Sequence, residues 1–438
     1  MKGVGWLIRA YKFLLRPTAG QAIALGEMLR DHCSLYNGAL QERRDAYRHP
    51  SKTSIKYGMQ SGQLKDIRAF DPERQGRWSF SSQQATLRRL DKAFTAFFRR
   101  VEAGGKPGYP RFRGVNWFDT VDFPRDGDGC RWNSTPRDQV TRVRLQGVGH
   151  VRVNQHRPVL GTVKTVSVKR EGRKWFVVLT AERPLPEPLP ATGSDIGIDL
   201  GIASFLTDSN GVHIPNPRHA RKAARRLEAA QRALSRFPRC KAKDRTRNHQ
   251  RAVEKVAALH GKVRRRRLDH AHKTALTLVR EHDFIAHEDL KIRNMSKAPA
   301  PKPSPGTAGV FLPNGAAAKA GLNYSIADAG WGVFLTILNA KAESAGREVM
   351  AVDPRNTSRT CPECGHAARE NRPAQEKFHC VTCGHQAHAD EVGALNVLRA
   401  GLVRRHASTA WREAPPTRAG RSHPDDLPDD VMWRCAHR

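Results

Sequence analysis

The sequence has no apolar run approaching the roughly 18–20 residues that a membrane-spanning helix needs. Its first stretch, MKGVGWLIRAYKFLL, is too charged for a secretory signal and offers no small-residue cleavage site. Acid is scarce as well: 42 Asp and Glu stand against 76 Lys and Arg, a net charge of +34 and a pI near 10.6. So large a deficit asks for a polyanionic partner, and without a membrane segment that partner is expected to be nucleic acid. Internal repeats are absent. Cysteine is sparse, and Cys33, Cys130, Cys240 and Cys435 stand scattered without metal spacing, as buried or incidental thiols do. The other four cysteines fall into two CxxC pairs, which in a chain with no secretory signal reads as zinc rather than as a disulfide framework.

What is present suffices for two to four domains in 438 residues. Residues 8–15 form a plausible first strand. An apolar period of three to four from Gly20 (Ile23, Leu25, Met28, Leu29, Cys33, Tyr36, Leu40) predicts a helix to about Arg48. A second helix is predicted from Ser82 to Val101, with Ser81 or Ser82 as its N-cap and Gly104-Gly105 as its stop. Residues 140–182 read as strands, with Val163–Lys169 and Trp175–Ala181 a hairpin about Gly172, and with the first strand they could close a small barrel. The Pro-rich run 185–190 marks the main boundary. After a strand-turn-strand at 194–208, residues 217–283 are helical in composition, broken near Phe237-Pro238. Between Pro217 and Lys273 there are 20 Lys/Arg and 4 Asp/Glu, nearly half the net charge. Solvated faces normally mix signs, so this hairpin is expected to contact phosphate. Strands are expected at 283–290 and 348–353, a Pro-rich mobile loop at 296–314, an amphipathic helix from Trp331 to Ser344, and disorder after Leu402.

Cys361-x2-Cys364 and Cys380-x2-Cys383, fifteen residues apart and each followed by Gly-His, supply four thiolates for one closed structural Zn²⁺. A redox dithiol would need a CxxC opening a helix, which Pro362 and the Gly-His exits argue against. Seven residues after Cys383 stands Asp390, ahead of a stripe of Val392, Leu395, Leu398 and Leu402. Two further acids interrupt or end apolar strands: Asp199 in Ile196-Gly-Ile-Asp-Leu200, and Glu288 after Phe284-Ile-Ala-His287. A carboxylate within a core strand is costly unless paired or metal-bound. Singly, Asp199 could be a turn residue, Glu288 or Asp289 a strand terminator and Asp390 a helix cap. Together they match the need of a two-metal phosphodiester site, in which carboxylates hold two Mg²⁺ ions roughly 3.5–4 Å apart. Spacing alone leaves open whether they converge.

The motifs GIDLG at Asp199, HEDLKIRNM at Glu288, DPRNTSRTCPECGH into the zinc cluster and HADEVGALNVL after it resemble the TnpB (OrfB) family. These are transposon-encoded proteins related to type V CRISPR effectors. RAYKFLLRPTAGQ, YNGAL, KPGYPRFRG and DHAHK extend the resemblance over residues 8–402 in the family's order. It departs where Val392-Gly393 replaces a customary Asn-Ala pair and where Arg264–Arg267 replaces a more mixed stretch.

The resemblance implies a multidomain α+β protein with an RNase H-like (RuvC-type) catalytic domain, an inserted zinc ribbon, an N-terminal β-barrel and a helical recognition region. The implied division is a barrel at 1–18 and 105–185, a helical region at 19–104 and a nuclease domain at 191–356 and 387–402. That nuclease domain would include the basic hairpin 217–283; the ribbon would occupy 357–386 and a disordered tail 403–438. The implied activity is RNA-guided, metal-dependent DNA endonuclease action in the service of a mobile element, leaving 5′-phosphate and 3′-hydroxyl ends. Asp199, Glu288 and Asp390 would hold two Mg²⁺, and Cys361, Cys364, Cys380 and Cys383 one Zn²⁺. The partners would be a guide RNA and double-stranded target DNA, with base pairing supplying sequence and the protein charge and shape. Candidate nucleic-acid contacts are Arg225, Arg226, Arg232, Arg264, Arg265, Arg266 and Arg267, with Tyr57, Gln83 and Gln84 near the flanking-motif reader. A prokaryotic cytoplasmic location, at the nucleoid, goes with this reading, as monomer or dimer. Two other readings use the same residues: an unguided RNase H-like transposase or resolvase, and a zinc-ribbon nucleic-acid-binding regulator whose acids are structural.

Overall fold

The computed structural model describes residues 6–240, 244–305 and 309–413. β1 (Trp6–Arg16) leads into α1 (Ala19–Arg48), α2 (Tyr57–Gly62), α3 (Leu64–Phe70) and α4 (Phe80–Glu102). There follow β2 (Thr120–Phe123), β3 (Cys130–Arg131), β4 (Arg142–Leu145), β5 (Gly149–Asn154), β6 (Thr162–Glu171) and β7 (Lys174–Pro184). Next come β8 (Asp195–Asp199), β9 (Ser204–Asp208), β10 (His213–Pro215), α5 (His219–Ser235) and α6 (Arg247–Glu281). β11 (Phe284–Glu288), α7 (Ile292–Met295), β12 (Lys302–Pro303), β13 (Phe311–Leu312), α8 (Ala316–Ala329) and α9 (Trp331–Ala345) precede β14 (Glu348–Val352). The described residues end with β15 (Lys377–His379), β16 (Gln386–His388) and α10 (Ala389–Glu413).

The chain divides into two compact units. The first, Met1–Pro190 with Arg218–Val279 and Tyr324–Arg347, is built on an antiparallel seven-stranded sheet ordered β2-β6-β7-β1-β5-β4-β3. Alternation puts Phe13, Leu15, Val166, Val168, Val177 and Leu179 on one face, in one core with Leu25, Leu29 and Tyr36 of α1 and Leu87 and Leu90 of α4. Helix α1 starts in a capping box between Thr18 and Gln21. The N-cap of α4 is Ser79, two residues ahead of the earliest expected position, because its side chain accepts from Ser82 N–H. Hydrogen bonding leaves β2 and β3 as sheet edges, so the expected barrel is not closed by pairing; β3 is only two residues long. The basic hairpin α5–α6 belongs to this unit, not to the one carrying the acids. A buried carboxylate, Asp328 of α8, accepts from the backbone N–H of Ala220 and Arg221 at the start of α5 and pairs with Arg267 of α6.

The second unit, Ala191–Pro217 with Arg280–Asn323 and Glu348–Arg438, holds a five-stranded mixed sheet ordered β10-β9-β8-β11-β14. β8, β11 and β14 run parallel, while β9 is antiparallel to both its neighbours. Both faces of β8 and β11 are covered, which is why they read as apolar runs rather than alternations. Helix α10 lies directly on β8: a Cβ at Gly197 would sit 2.2 Å from the carbonyl oxygen of Ala394 and 2.7 Å from the nitrogen of Leu398. Only glycine admits so close a crossing. Residues 357–388 form a small ribbon, with β15 paired to β16, between β14 and α10. Helix α10 continues to Glu413, through the stretch after Leu402 that was expected to be disordered; the remainder of the expected tail, with Cys435, lies outside the described residues. In the Pro-rich stretch expected to be a mobile loop, β12 and β13 pair.

Candidate active site

The parallel register of β8 and β11 pairs Ile198 with His287, so Asp199 and Glu288 leave adjacent strands at the same level. The third acid arrives from above the sheet. Asp390 sits in the first turn of α10, where the helix dipole favours negative charge. It is not the helix cap: His388 precedes the helix, and its Nδ1 accepts from Asp390 N–H at 3.2 Å. The Asp390 carboxylate instead faces Arg372 at 3.6 Å, both side chains being mostly buried. Glu288 accepts from the Thr357 hydroxyl at 2.6 Å, whereas its neighbour Asp289 pairs with Lys291 at the surface. Glu288 thus turns inward, while the adjacent Asp289 stays at the surface.

The three carboxylates share one field. Burial, then the charges of Glu288 and Asp390, push Asp199 up to about 7, opposed by Arg372 and by the N–H of Leu200. Burial raises Glu288 as well, against the Thr357 hydrogen bond and Arg372. A buried carboxylate that its neighbours' charges repel holds its proton more tightly unless a cation displaces it, and the all-oxygen donor set of these acids fits a divalent ion such as Mg²⁺. A Cβ at Gly393 would lie 3.4 Å from Asp199 Oδ2, an ordinary contact, so the Val392-Gly393 departure does not change the space around the carboxylate. Arg372 and Thr357 were given no role from sequence. Arg372 lies between the CxxC pairs with no spacing rule to single it out, and Thr357 lies in the polar stretch ahead of Cys361, where nothing in the pattern marks it.

The four cysteines converge as their spacing requires. Cys361 Sγ is 3.5 Å from Cys383 Sγ, and Cys364 Sγ is 3.5 Å from Cys380 Sγ. A tetrahedral ion with Zn–S bonds of about 2.3 Å spaces its sulfurs about 3.8 Å apart, so the cluster fits a metal ion such as zinc. Both knuckles repeat one backbone pattern, with Gly365 N–H donating to Cys361 O and Gly384 N–H to Cys380 O. The backbone N–H of Cys383 holds the Cys380 thiol down to about 6. Cys361, Phe378 and Cys380 share a core with Ala389 and Val392, so the ribbon packs directly beneath the turn that bears Asp390.

The candidate nucleic-acid contacts divide. Arg225, Arg226, Arg232, Arg264, Arg265 and Arg266 are exposed on α5 and α6, Arg264 lying 3.8 Å from Glu171. Arg267 is committed to Asp328 at 3.0 Å and serves the hairpin's own structure. Gln83 is fully buried, donating to Gln75 and accepting from Arg68, so it cannot read a base. Gln84 is half-buried, bonded to Ser61, and Tyr57 is half-buried under the Arg88 guanidinium.

A mixed sheet with acids at two strand ends and a helix start, and a four-cysteine ribbon leading into that helix, defines a multidomain mixed α/β protein with a ribbon that could hold a metal ion. Three family descriptions match: "Probable transposase" over residues 166–298, "Cas12f1-like, TNB domain" over 331–397 and "Helix-turn-helix domain" over 5–52. The span of the last contains one strand and one long helix, β1 and α1. "Putative RNA-guided DNA endonuclease InsQ" of Escherichia coli is 33% identical over 397 residues, 90% of this chain and 92% of that protein. A "Putative RNA-guided DNA endonuclease" of Streptomyces pristinaespiralis is 31% identical over 426 residues, 94% of each. A solved Cas12f1–sgRNA–target DNA complex aligns with a TM-score of 0.49 at 13% identity, over 86% of this chain and 82% of that one. The chain belongs to the TnpB (OrfB) family of transposon-encoded proteins.

Proposed function

We propose that the protein is an RNA-guided DNA endonuclease of a mobile element, and that Asp199, Glu288 and Asp390 hold the divalent ions of a RuvC-type site. The observation that carries this reading is that the charges of Glu288 and Asp390 both reach the buried Asp199 carboxylate and, with its burial, push it up to about 7, which a bound cation would relieve. The strand order, with β9 reversed between β10 and β8 and the rest parallel, supports an RNase H-like domain in the second unit. Bound Mg²⁺ ions would activate water and neutralise the phosphate charge. The chain's own residues do the rest. Thr357 fixes the orientation of Glu288, and Arg372 faces Asp390 and tempers the negative field. In the first unit the exposed arginines of α5 and α6 suit the phosphates of RNA or of a guide–target heteroduplex, and the names of the relatives point to the same guided activity. The four-cysteine cluster holds structural Zn²⁺.

Purification tests the reading. The protein should carry a structured RNA of defined sequence and, with Mg²⁺, cut DNA matched to it. Stripping the RNA should end sequence-specific cutting; cutting that persists unchanged without it would mark an unguided enzyme. A protein that never cuts a matched target with its RNA and Mg²⁺ would end the nuclease reading.

The raised Asp199 adds a pH dependence. Below about 7 a proton occupies the carboxylate that the metal needs, so ion affinity should fall about tenfold per pH unit there and level off above. Calorimetric titration of Mn²⁺ from pH 6 to pH 8.5 measures this. A flat profile would mean that Asp199 is already ionised without metal.

A further inference from the structure

The turn of α10 that presents Asp390 also presents a second donor set to a different neighbour. His388 and Glu391 flank Asp390 in sequence, and His213 comes from β10; their ligand atoms all lie within 4.8 Å of one another. His213 Nε2 is 3.2 Å from Glu391 Oε1, and the His213 and His388 rings stand edge to face with centroids 4.8 Å apart. Glu391 lies over the β9–β10 turn, where a Cβ at Gly211 would be 3.7 Å from its carboxyl carbon. None of the three belongs to the acid cluster or to the thiolate cluster.

We propose that His213, His388 and Glu391 form a further metal site, which takes Zn²⁺ or a similar d-block ion in exchange with solution. Two imidazoles and one carboxylate are the donors such ions select, whereas Mg²⁺ prefers oxygen and water. Zn–N and Zn–O bonds of about 2.0–2.1 Å set donors on a tetrahedral ion about 3.3 Å apart, and the His213–Glu391 separation already has that length. The other nitrogen of His213, Nδ1, lies 2.9 Å from the Thr207 hydroxyl. A proton on Nδ1 donated to that oxygen turns the Nε2 lone pair towards Glu391, the outer support that metal-binding histidines use. With that tautomer, Nε2 and Oε1 are two acceptors facing each other, and a cation between them resolves the repulsion. Three protein ligands leave a coordination position open, which makes the site exchangeable, unlike the closed four-sulfur one.

Occupancy of this site also reaches Asp390. At present His388 Nδ1 accepts from Asp390 N–H. If the ion binds Nδ1, that lone pair is taken; if it binds Nε2, the ring proton moves to Nδ1. In both cases the bond to Asp390 N–H is given up. The ion would instead tie β10 to the first turn of α10.

Zinc stoichiometry tests the proposal in untagged full-length protein, with Mg²⁺ in excess to fill the acid cluster. Competition against a chromophoric chelator should count two Zn²⁺ per chain, one held tightly and one exchanging. His213→Gln and Glu391→Gln should each reduce the count to one while keeping the tight ion, which certifies the ribbon as folded. Co²⁺ added to protein whose cysteine cluster is filled with zinc should give d–d absorption without thiolate charge transfer, absent in both variants. A single equivalent in the wild type would mean that only a proton bridges His213 and Glu391, and would overturn the proposal. So would a second equivalent that survives both substitutions or is displaced by Mg²⁺. None of these readouts depends on whether the protein cuts DNA.

Discussion

Replacing Asp199 by alanine is expected to abolish DNA cleavage, by at least about a thousandfold, while leaving salt-sensitive binding of RNA and DNA unchanged. Removal of a ligand that the ions depend on forfeits several kcal/mol of transition-state stabilisation, at about 1.4 kcal/mol per factor of ten. The exposed arginines of α5 and α6, proposed to contact phosphate, lie outside the substitution. Stability should move in the direction opposite to that of an ordinary core substitution. An acid whose proton is held more tightly in the folded than in the unfolded chain makes no charge-related demand below about pH 4. Its cost develops as pH rises and is full above about 7, where the buried carboxylate is ionised. At pH 8 without divalent ions the wild type bears that cost, on the order of a few kcal/mol, and the alanine variant does not. Thermal unfolding in chelator at pH 8 should therefore show the variant no less stable than the wild type, and added Mg²⁺ should raise the wild-type midpoint alone. A variant that retains cleavage would remove Asp199 from the site. One that loses cleavage together with nucleic-acid binding and folding would assign it to structure.

The acids were legible in the sequence for an energetic reason. Asp199 breaks an apolar run, and a carboxylate in a two-sided strand must have a purpose. Glu288 was legible because it closes the apolar strand Phe284–His287, while the direction its side chain takes at the end of β11, inward towards Thr357, could not be read from the sequence. Whether the acids converge follows from the parallel register of β8 with β11 and from α10 crossing at Gly197, neither of which a spacing encodes. The long elements with a clear period, α1, α4, α9 and the β6–β7 hairpin, were predicted to within a few residues of their bounds. The short helices α2 and α3 were missed, since six or seven residues carry too little periodicity, and so was α8, whose apolar residues do not gather on one side. Gln83 and Arg267 illustrate another limit. A polar residue announces its chemistry but not its partner: Gln83 is held by Gln75 and Arg68, and Arg267 by Asp328, 61 residues away. The resemblance to TnpB proteins named the site where pattern alone stopped at three unrelated acids.

Exchanging Cys380 and Cys383 for serine should lower cleavage by roughly ten- to a hundredfold, the range seen when outer supports of a metal site are lost, and change RNA affinity by less than about twofold. The ribbon is too short to fold on its own core, and a metal ion held by its four cysteines would supply the missing stability. Without the ion three supports of the Asp390 turn fail together. Phe378 and Cys380 no longer pack under Ala389 and Val392. The bond from Ala389 N–H to Glu376 O loses its fixed partner. Arg372 also loses its place 3.6 Å from Asp390, because the adjacent Asn371 is held by Arg359 O, His366 O and Val381 N–H within the ribbon. Asp199 and Glu288 remain on their strands, so the site keeps two acids and misplaces the third. Cleavage and RNA affinity measured side by side decide the point. A parallel fall in both would make the ribbon a general stabiliser or an RNA-binding element, and no change in either would detach it from catalysis. A selective fall in cleavage would make the zinc ion the anchor that aims an aspartate it never touches.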